Sequence, residues 1–255
     1  MFHFKFINKK RVIYSDFIPE TEHFFTTRET VIRSQEEDMH ELVEANKQDI
    51  ANYLKIDKDL LISPTQTHTS NVRIASKRIK KYPNTDALID DDSSIAIYLN
   101  FADCTPVILY DKKHNVGAIA HAGWRGTAGQ IVQKTVDLMK EEYYTSTKDL
   151  YAVIGPTIAI CCYGVGEDVF EQLKDSVSVI EPYNRQIYEK IYVDLKGINK
   201  QQLLDIGVAR QNIDVCPYCT SCNNDMFFSY RKEQGTTSRH SAILKIKEHK
   251  IKRPI

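Results

Sequence analysis

The sequence predicts a mixed α/β protein that folds as a single domain. Short segments with the apolar pattern of β-strands alternate with longer segments that have the 3.6-residue period of helices. The chain of 255 residues contains no internal repeat, low-complexity tract or Pro/Gly-rich linker that would mark a domain boundary. We therefore expect one domain over residues 1–255 rather than two smaller ones.

The first predicted elements are a helix and a strand. Residues 34–37 have the Ser-Gln-Glu-Glu pattern of a capping box, and a helical stripe of apolar residues follows as far as Leu54. Between residues 60 and 74 the apolar period changes to two, which predicts a strand. Gln66 and His68 share one face of this strand with apolar residues, so we expect His68 to point toward the interior.

Three further strands are predicted before the second helix, at residues 94–101, 107–110 and 115–120. The middle one is apolar throughout, which is typical of a strand covered on both faces. The last one ends directly before His121, and a long amphipathic helix is predicted from about Thr127. The rest of the chain predicts strands at 151–154, 191–195, 213–215 and 242–246, and a helix at 195–206 that Gly207 ends as the C′ residue.

The charge balance excludes several classes of partner. Lys plus Arg and Asp plus Glu both number 34, so there is no general attraction to nucleic acid or to an anionic membrane. We interpret the Lys-rich run at 245–253 as the solvated end of the last strand. No stretch has the roughly 18 consecutive apolar residues of a membrane helix, and residues 1–5 lack the pattern of a signal peptide. Six cysteines are too few for a disulfide scaffold, so we expect a reduced, cytoplasmic protein.

A metal site is the main chemical prediction. His68, Cys104 and His121 each lie at or near the end of a predicted strand. Two imidazoles and one thiolate are ligands that Zn²⁺ accepts, and three protein ligands leave a fourth position for water or substrate, as in catalytic zinc sites. We therefore predict a catalytic zinc ion on these residues, with copper as a less favoured metal. Sequence spacing does not separate this arrangement from a nucleophilic pair in which Cys104 is the nucleophile and His121 the base.

The segment 121–126, His-Ala-Gly-Trp-Arg-Gly, joins a predicted strand to a predicted helix. Its glycines allow the backbone to approach a ligand closely, and the start of the following helix offers unpaired amides. Arg125 adds a planar fork of donors that suits phosphate or carboxylate. The alternative interpretation is a tight turn with a packed tryptophan and a surface arginine.

Two segments near the C terminus carry thiol, aromatic and cationic side chains. The run from Cys216 to Cys222 contains Cys-x-x-Cys spacing, which can bind zinc or support disulfide exchange, but its late position and the Asn-rich segment after it disfavour a redox site. No fourth zinc ligand is obvious nearby, although cysteines 161–162 could supply one in space. We therefore favour neither a redox nor a structural-metal role and expect the cluster to be dispensable for the chemistry. Tyr230 and Arg231 combine an aromatic platform with a cationic donor; the alternative is a strand with a phenylalanine core.

Several short motifs together resemble the YfiH-like laccase-domain family, formerly called multicopper polyphenol oxidases. The most specific pieces are Ala-Asp-Cys at 102–104 and His-Ala-Gly-Trp-Arg-Gly at 121–126. The other matching pieces, in chain order, are Gln66-x-His68, Thr85-Asp86-Ala87-Leu88, Ile154-Gly155-Pro156, Cys161-Cys162-Tyr163-x-Val165-Gly166-Glu167, Cys219-Thr220 and Phe227-Phe228-Ser229-Tyr230-Arg231. The chain departs from the family pattern at Glu29-Thr30-Val31, where a Gly-Gly pair is usual, at Thr157 and at Thr237-Ser238-Arg239.

The resemblance implies a single α/β domain of layered mixed β-sheets with flanking helices, and a zinc ion held by His68, Cys104 and His121. It implies phosphorolysis of adenosine, inosine and S-methyl-5′-thioadenosine and deamination of adenosine, with purine nucleoside and phosphate as ligands. The older name implies copper-dependent oxidation of phenols, and some relatives are linked to editing of cell-wall precursors. We assign substrate binding to five residues, namely Arg125, Gln66, Arg28, Tyr230 and Arg231.

For deamination we expect a zinc-activated hydroxide to attack purine C6. Zinc deaminases of nucleobases use a His-x-Glu motif whose glutamate shuttles protons, and this chain has no such motif. We therefore assign the proton carrier to Asp103. For phosphorolysis we expect Arg125 and the helix start at Thr127 to bind the phosphate. Nothing in the sequence specifies the oligomeric state.

Overall fold

A computed structural model describes residues 1–248 of the chain. The α-helices, in chain order, are α1 (His40–Leu54), α2 (Trp124–Ala128), α3 (Ile131–Tyr143), α4 (Glu167–Lys174) and α5 (Leu195–Asp205). The strands are β1 (Phe2–Ile7), β2 (Lys10–Ser15), β3 (Thr21–Thr26), β4 (Leu61–Ile62), β5 (Val72–Ile74), β6 (Ala87–Asp90), β7 (Ala96–Phe101), β8 (Thr105–Asp111), β9 (Val116–Ala122), β10 (Leu150–Ile154), β11 (Gly164–Val165), β12 (Asn184–Ile187), β13 (Lys190–Val193), β14 (Ile213–Val215) and β15 (His240–Ile246). Within residues 1–248, no helix combines the length and apolar character that crossing a bilayer requires. The predicted basic run extends beyond residue 248, and that part lies outside the described residues.

Two six-stranded mixed sheets form most of the fold. The strand order is β1-β2-β3-β15-β7-β4 in the first sheet and β14-β10-β8-β9-β6-β5 in the second. Both contain parallel and antiparallel pairs, since β4 runs parallel to β7 in the first sheet and β5 runs parallel to β6 in the second. A third sheet, with the order β11-β13-β12, is small and antiparallel.

The two large sheets pack face to face, with helices on their outer surfaces. Ile97 and Leu99 of β7 share the core between the sheets with Ile108 of β8, and all three are fully buried. The opposite face of β8 packs Val107 against Val136 of α3, while α1 covers the first sheet through a separate cluster. The continuous apolar run at 107–110 therefore lies in a strand buried on both faces, as predicted. Complete burial of one such aliphatic side chain contributes about 1.5–3 kcal/mol.

The C-terminal helix and its stop signal are confirmed. Helix α5 ends at Asp205, and Gly207 follows with φ of +93°, a left-handed conformation that glycine adopts without a steric penalty from Cβ. The predicted strands after residue 94 correspond to β7–β10 and β13–β15, with ends that differ by a few residues.

The predicted capping box at 34–37 is wrong. Helix α1 begins at His40 after a single 3₁₀ turn, and no side chain caps either start. The Ser34 hydroxyl instead accepts the Glu36 amide at 3.2 Å and lies 3.1 Å from the Ser238 hydroxyl. Ser34 is therefore held against the segment before β15, too far from the helix to cap it.

The long helix predicted from about Thr127 is present as α3, but its predicted start is wrong. The structure has the short helix α2, which begins earlier at Trp124, and then α3 from Ile131. Gln130 separates the two helices with φ of 56°, a left-handed conformation that interrupts the helical hydrogen bonding.

The strand predicted at 60–74 is replaced by a loop between two short strands. Only β4 and β5 are strands in this segment, and they belong to different sheets. His68 therefore lies in the connecting loop, with φ of 61° and an exposed side chain, rather than pointing into an apolar interior. The apolar period of two that predicted one strand comes from two separate strands, β4 in the first sheet and β5 in the second, together with the loop between them.

Candidate metal centre

Three chain segments meet at the end of β9. Cys104 lies in the tight connection between β7 and β8, and the register of β8 against β9 pairs Pro106 with His121. His68 comes from the loop that crosses between the sheets. The sulfur of Cys104 and one ring nitrogen of each histidine lie within 4.8 Å of one another. The structure thus brings the three predicted ligands together, with His121 buried, Cys104 partly buried and His68 exposed.

Asp86, which the sequence reasoning did not assign to the site, holds two of these ligands in place. Its fully buried carboxylate accepts a hydrogen bond from Nδ1 of His121 at 2.9 Å. The same carboxylate accepts the backbone amides of Thr67, His68 and Thr69 at 2.8–3.2 Å. Because Nδ1 of His121 is engaged, Nε2 of that ring is the atom presented to the centre, as in many metal-ligating histidines. The feature of the sequence that could have identified Asp86 is its position: it is a carboxylate directly before the apolar strand β6.

The titratable groups of the centre are strongly coupled. Burial raises the pKa of the Cys104 thiol, but the charge of His121 and hydrogen bonds with both histidines outweigh this effect and lower it to about 6. Burial lowers the pKa of His121, whereas the Cys104 thiolate and the Asp86 carboxylate raise it to about 9. Burial also opposes the charge on Asp86, but the hydrogen bonds from His121 and Thr69 lower its pKa to about 2. Both shifts in pKa favour the charged forms of the pair, a Cys104 thiolate and a His121 imidazolium.

Gly123 provides the space in which the ligands approach each other. A Cβ at this position would lie 2.8 Å from the sulfur of Cys104 and 3.5 Å from Cδ2 of His68. Its φ of −66° is accessible to any residue, so the requirement is steric rather than conformational. The glycine therefore allows the backbone to lie close to the Cys104 and His68 side chains, rather than close to a bound ligand as expected.

Arg125 lies on α2 directly after the centre, with an exposed side chain and its guanidinium carbon 4.2 Å from the centroid of the Trp124 ring. The predicted helix start at Thr127 is wrong, because α2 begins at Trp124, and the Thr127 amide is therefore not free to contribute to the predicted phosphate site. The Thr127 amide donates to the Gly123 carbonyl at 2.8 Å, and its hydroxyl donates to the Ala122 carbonyl at 3.3 Å. Since those groups are used within the fold, Arg125 alone remains as the candidate anion ligand of this segment.

Asp103 connects the Cys104 loop to two later segments of the chain. It has φ of 85°, which is uncommon for a residue other than glycine. Its carboxylate accepts the Thr220 hydroxyl at 2.7 Å and the Arg231 amide at 2.7 Å, and its carbonyl accepts the Ile158 amide at 3.1 Å. These contacts position the loop that carries Cys104, and the role of Asp103 as a proton carrier stays a prediction.

Gln66 and Arg28 use their polar groups to anchor neighbouring segments. The Gln66 side chain accepts the Asn100 amide at 2.8 Å and donates to the Asn100 carbonyl at 2.9 Å. Arg28 donates from Nε to the Asn224 carbonyl at 2.6 Å and pairs with the Glu233 carboxylate at 2.5 Å. Substrate binding by these two residues stays a prediction.

Residues 227–231 belong to a loop, so the strand considered as an alternative for this segment is wrong. Tyr230 is exposed, and the guanidinium carbon of Arg231 lies 5.2 Å from the centroid of the Tyr163 ring. Burial raises the pKa of the Tyr163 phenol, and the nearby charge of Cys104 raises it further. A protonated phenol and a cationic side chain thus lie within electrostatic range of the Cys104 sulfur.

Comparison with known proteins places this centre in a family. Residues 24–247 match the family described as multi-copper polyphenol oxidoreductase laccase. Purine nucleoside phosphorylase YlmD of Geobacillus stearothermophilus is 31% identical over 210 residues, which cover 78% of this chain and 77% of that protein. Adenosine deaminase RL5, from an unknown prokaryotic organism, is 32% identical over 198 residues, which cover 72% of this chain and 74% of that protein.

The fold is shared with a solved structure as well. The crystal structure of YlmD from Geobacillus stearothermophilus matches with a TM-score of 0.85 and 27% identity, covering 93% of this chain and 96% of that one. The predicted fold class, layered mixed sheets with flanking helices, is therefore confirmed.

Proposed function

We propose that this chain, which belongs to the multi-copper polyphenol oxidoreductase laccase family, is a zinc-dependent enzyme that acts on purine nucleosides. The proposed reactions are phosphorolysis of adenosine, inosine and S-methyl-5′-thioadenosine, and hydrolytic deamination of adenosine. The observation that carries the proposal is the convergence of two imidazoles and one thiol within 4.8 Å, with a carboxylate behind one imidazole. Relatives named purine nucleoside phosphorylase and adenosine deaminase support the substrate class.

His68, Cys104 and His121 are the residues that would hold the zinc ion. Their nitrogen and sulfur donors suit Zn²⁺, and the carboxylate of Asp86 fixes the His121 ring as outer partners of zinc-binding histidines do. Three protein ligands leave one position open, where bound zinc supplies a Lewis acid for a water molecule or a substrate oxygen. The exposed side chain of His68 supports the proposal that a nucleoside can reach this position.

Phosphate binding is assigned to Arg125. This side chain is exposed and stacked on Trp124, within the segment that directly follows His121. A guanidinium presents a planar fork of donors that matches two phosphate oxygens, which a lysine ammonium does not. Arg28 differs because the Glu233 carboxylate and a backbone carbonyl already accept its donors. We propose that Arg28 and Gln66 fix the loops of the substrate site, and that Tyr230 and Arg231 contact the nucleoside.

Deamination needs a group that delivers a proton to the departing ammonia. We propose Asp103 for this task because it precedes Cys104 directly and its carboxylate lies next to the Arg231 amide. Asp103→Asn should reduce deamination more than it reduces phosphorolysis, in which a phosphate and not a water molecule attacks. Equal losses in both reactions, measured at several pH values, would assign Asp103 a positioning role instead.

A cysteine hydrolase is the second candidate function. The Cys104 thiolate, the His121 imidazolium and the Asp86 carboxylate form a chain of nucleophile, base and orienting group that covalent hydrolases also use. In that mechanism the Cys104 sulfur attacks an acyl carbon, and His121 gives its proton to the leaving group. A substrate such as a cell-wall peptide precursor would fit this chemistry.

The deciding experiment combines product analysis with metal removal. Purified protein is incubated with each nucleoside, with and without phosphate, and the products are separated by chromatography. When phosphate is present, we expect free base with ribose 1-phosphate from adenosine and inosine, and adenine with 5-methylthioribose 1-phosphate from S-methyl-5′-thioadenosine. Without phosphate we expect inosine from adenosine. Activity should disappear after dialysis against a chelator and return with Zn²⁺. A thiol hydrolase would survive chelation and would lose activity to iodoacetamide, which alkylates thiolates.

Metal analysis of the purified protein separates zinc from copper. A multicopper oxidase needs more histidines than the two at this centre, although a single copper ion also accepts a His₂Cys set. Oxidation of a phenol by the copper-loaded protein, together with no turnover of nucleosides by the zinc-loaded protein, would refute the proposal.

A further inference from the structure

A second group of cysteines lies outside the candidate metal centre. The sulfur atoms of Cys161, Cys162, Cys219 and Cys222 all lie within 4.8 Å of one another. The sulfur of Cys222 is 3.5 Å from that of Cys161 and 3.4 Å from that of Cys162. Cys216, which forms the Cys-x-x-Cys pattern with Cys219, is buried in the core between the sheets and takes no part in this cluster.

Two backbone turns carry these four cysteines. In the first turn, the amides of Cys162 and Tyr163 donate to the Ala159 carbonyl at 2.9 and 3.0 Å. In the second, the Cys219 carbonyl accepts both the amide and the side chain of Asn223 at 3.0 and 2.8 Å. The turns are joined because Thr157 and Cys219 form an isolated parallel bridge. The main chain therefore brings the four cysteines into the same region.

We propose that Cys161, Cys162, Cys219 and Cys222 bind a second zinc ion as a closed structural site. A tetrahedral zinc ion with Zn–S bonds of about 2.3 Å requires sulfur atoms about 3.8 Å apart, close to the 3.4–3.5 Å separations found here. Four thiolates fill the tetrahedral positions, so no position remains for substrate.

A pair of disulfides fits this cluster less well. A disulfide joins sulfur atoms two by two at about 2.05 Å. The sulfur of Cys222 is almost equally distant from those of Cys161 and Cys162, as expected when several ligands face a common centre. The Ala159 amide also donates to the sulfur of Cys219 at 3.3 Å, and such amide donors stabilise the negative charge of metal-bound thiolates.

The proposed zinc would clamp together two segments that hold the Cys104 loop. Thr220, next to Cys219 in the chain, donates its hydroxyl to the Asp103 carboxylate at 2.7 Å. The Ile158 amide, at the start of the first turn, donates to the Asp103 carbonyl at 3.1 Å. The site would stabilise the fold behind the candidate metal centre and supply no ligand to it. The inference does not depend on the proposed function, because it concerns metal content and stability.

The test measures zinc content in the full-length protein, with the candidate metal centre disabled by His68→Ala. We expect about two zinc ions per chain in the wild type and about one in His68→Ala. Adding Cys161→Ser or Cys222→Ser to His68→Ala should remove the remaining zinc. Both cysteines are exposed, so these substitutions leave the core unchanged. Cys216→Ala is the matched control: it removes a neighbouring thiol of the same motif and should retain the zinc.

Cobalt substitution and mass measurement complete the test. Co²⁺ bound to His68→Ala should show sulfur-to-metal charge-transfer absorption, which Cys222→Ser strongly reduces. Replacing Cys222 should lower the melting temperature by several degrees and abolish the further decrease that zinc removal causes. In Cys216→Ala, zinc removal should still lower the melting temperature. The proposal is overturned if His68→Ala contains no zinc, if Cys161→Ser and Cys222→Ser leave its zinc unchanged, or if freshly purified protein has these cysteines oxidised in pairs. None of these outcomes depends on whether nucleosides are turned over.

Discussion

The two cysteine-containing clusters of this protein are built in different ways. The first takes His68, Cys104 and His121 from three segments that meet only through the sheets, and a buried carboxylate orients one of its imidazoles. The second takes four thiols from two short turns. With a zinc ion bound, three ligands of mixed type beside an exposed surface would leave a position for substrate, whereas four thiolates would occupy every tetrahedral position. We infer that the number and source of the ligands, rather than a Cys-x-x-Cys pattern, distinguish the proposed catalytic site from the proposed structural site.

The largest expected contrast is between Cys104 and Cys222. Cys104→Ala removes a ligand of the first cluster and should lower kcat/KM for every nucleoside by on the order of 1000-fold or more. Cys222→Ser should leave kcat/KM within a few-fold at a temperature where the variant is folded, as should replacement of Cys216 or Cys219. Steady-state kinetics on folded protein decide this. A loss in Cys222→Ser that matches the loss in Cys104→Ala would mean that the two clusters act as one site.

The next contrast separates phosphate binding from nucleoside binding at the first cluster. Arg125→Lys keeps the charge but loses the donor fork, so phosphorolysis should slow by roughly 30- to 1000-fold, equivalent to about 2–4 kcal/mol of transition-state stabilisation. Nucleoside affinity, measured by calorimetry without phosphate, should change much less. Arg11→Lys is the matched control, because Arg11 also lies over an aromatic ring and is distant in the fold. Unchanged phosphorolysis in Arg125→Lys and Arg125→Ala would leave Arg125 as a surface charge.

The first cluster differs from the second because a buried carboxylate, that of Asp86, accepts hydrogen bonds from His121 and from the loop that carries His68. Asp86→Asn keeps the size of the side chain but weakens its hold on His121 and on the loop that carries His68, so zinc affinity should fall by roughly 10- to 100-fold. Competition with a chelator of known affinity measures this. Asp111→Asn is the matched control, since Asp111 is a fully buried carboxylate bonded to His114 Nδ1 at the opposite end of β8. Equal zinc affinity in both variants would contradict the orienting role.

The last prediction concerns a buried histidine that belongs to neither cluster. Burial lowers the pKa of His240 to about 3, and the charges of Arg239 and Arg28 lower it further, whereas His121 has a raised pKa because it has anionic partners. The pKa of His240 in the folded protein is thus below the unfolded value of about 6.5. This histidine contributes stability at neutral pH that is lost as the pH falls from about 6.5 toward 3.

The slope of that loss is testable. One such group should make the free energy of unfolding fall by about 1.4 kcal/mol per pH unit within this range. His240→Phe, whose ring would replace the imidazole beside Phe101 and Phe227, should reduce the slope by about that amount in denaturant titrations between pH 6 and 4. His40→Gln, at an exposed position, is the control. Equal slopes in the wild type and His240→Phe would show that His240 is protonated in the folded protein.

The parts of the fold that could be predicted are those with strong local patterns. The apolar run at 107–110 identified a strand buried on both faces, and Gly207 marked the end of α5, because each depends only on near neighbours in the chain. Strands β1–β3 were not predicted, since none of them has a clear apolar period: β1 and β2 are partly exposed near an edge of the first sheet, and β3 is an almost entirely buried inner strand. The loop around His68 was misread because its conformation depends on Asp86, which is distant in sequence.

The sequence alone predicted an α/β chain. It also showed which side chains could take part in chemistry: two imidazoles and a thiol in segments that resemble one family, and further cysteines elsewhere. Residue type decides which metals, protons and anions a side chain can bind, and that information is local. Only the tertiary structure decided which groups meet. Asp86 became part of the first cluster because β6 pairs with β9, and Cys161 and Cys162 joined Cys219 and Cys222 while Cys216 did not. Which side chains lie close together depends on strand register and on contacts between distant segments, and the spacing of residues along the chain does not encode these.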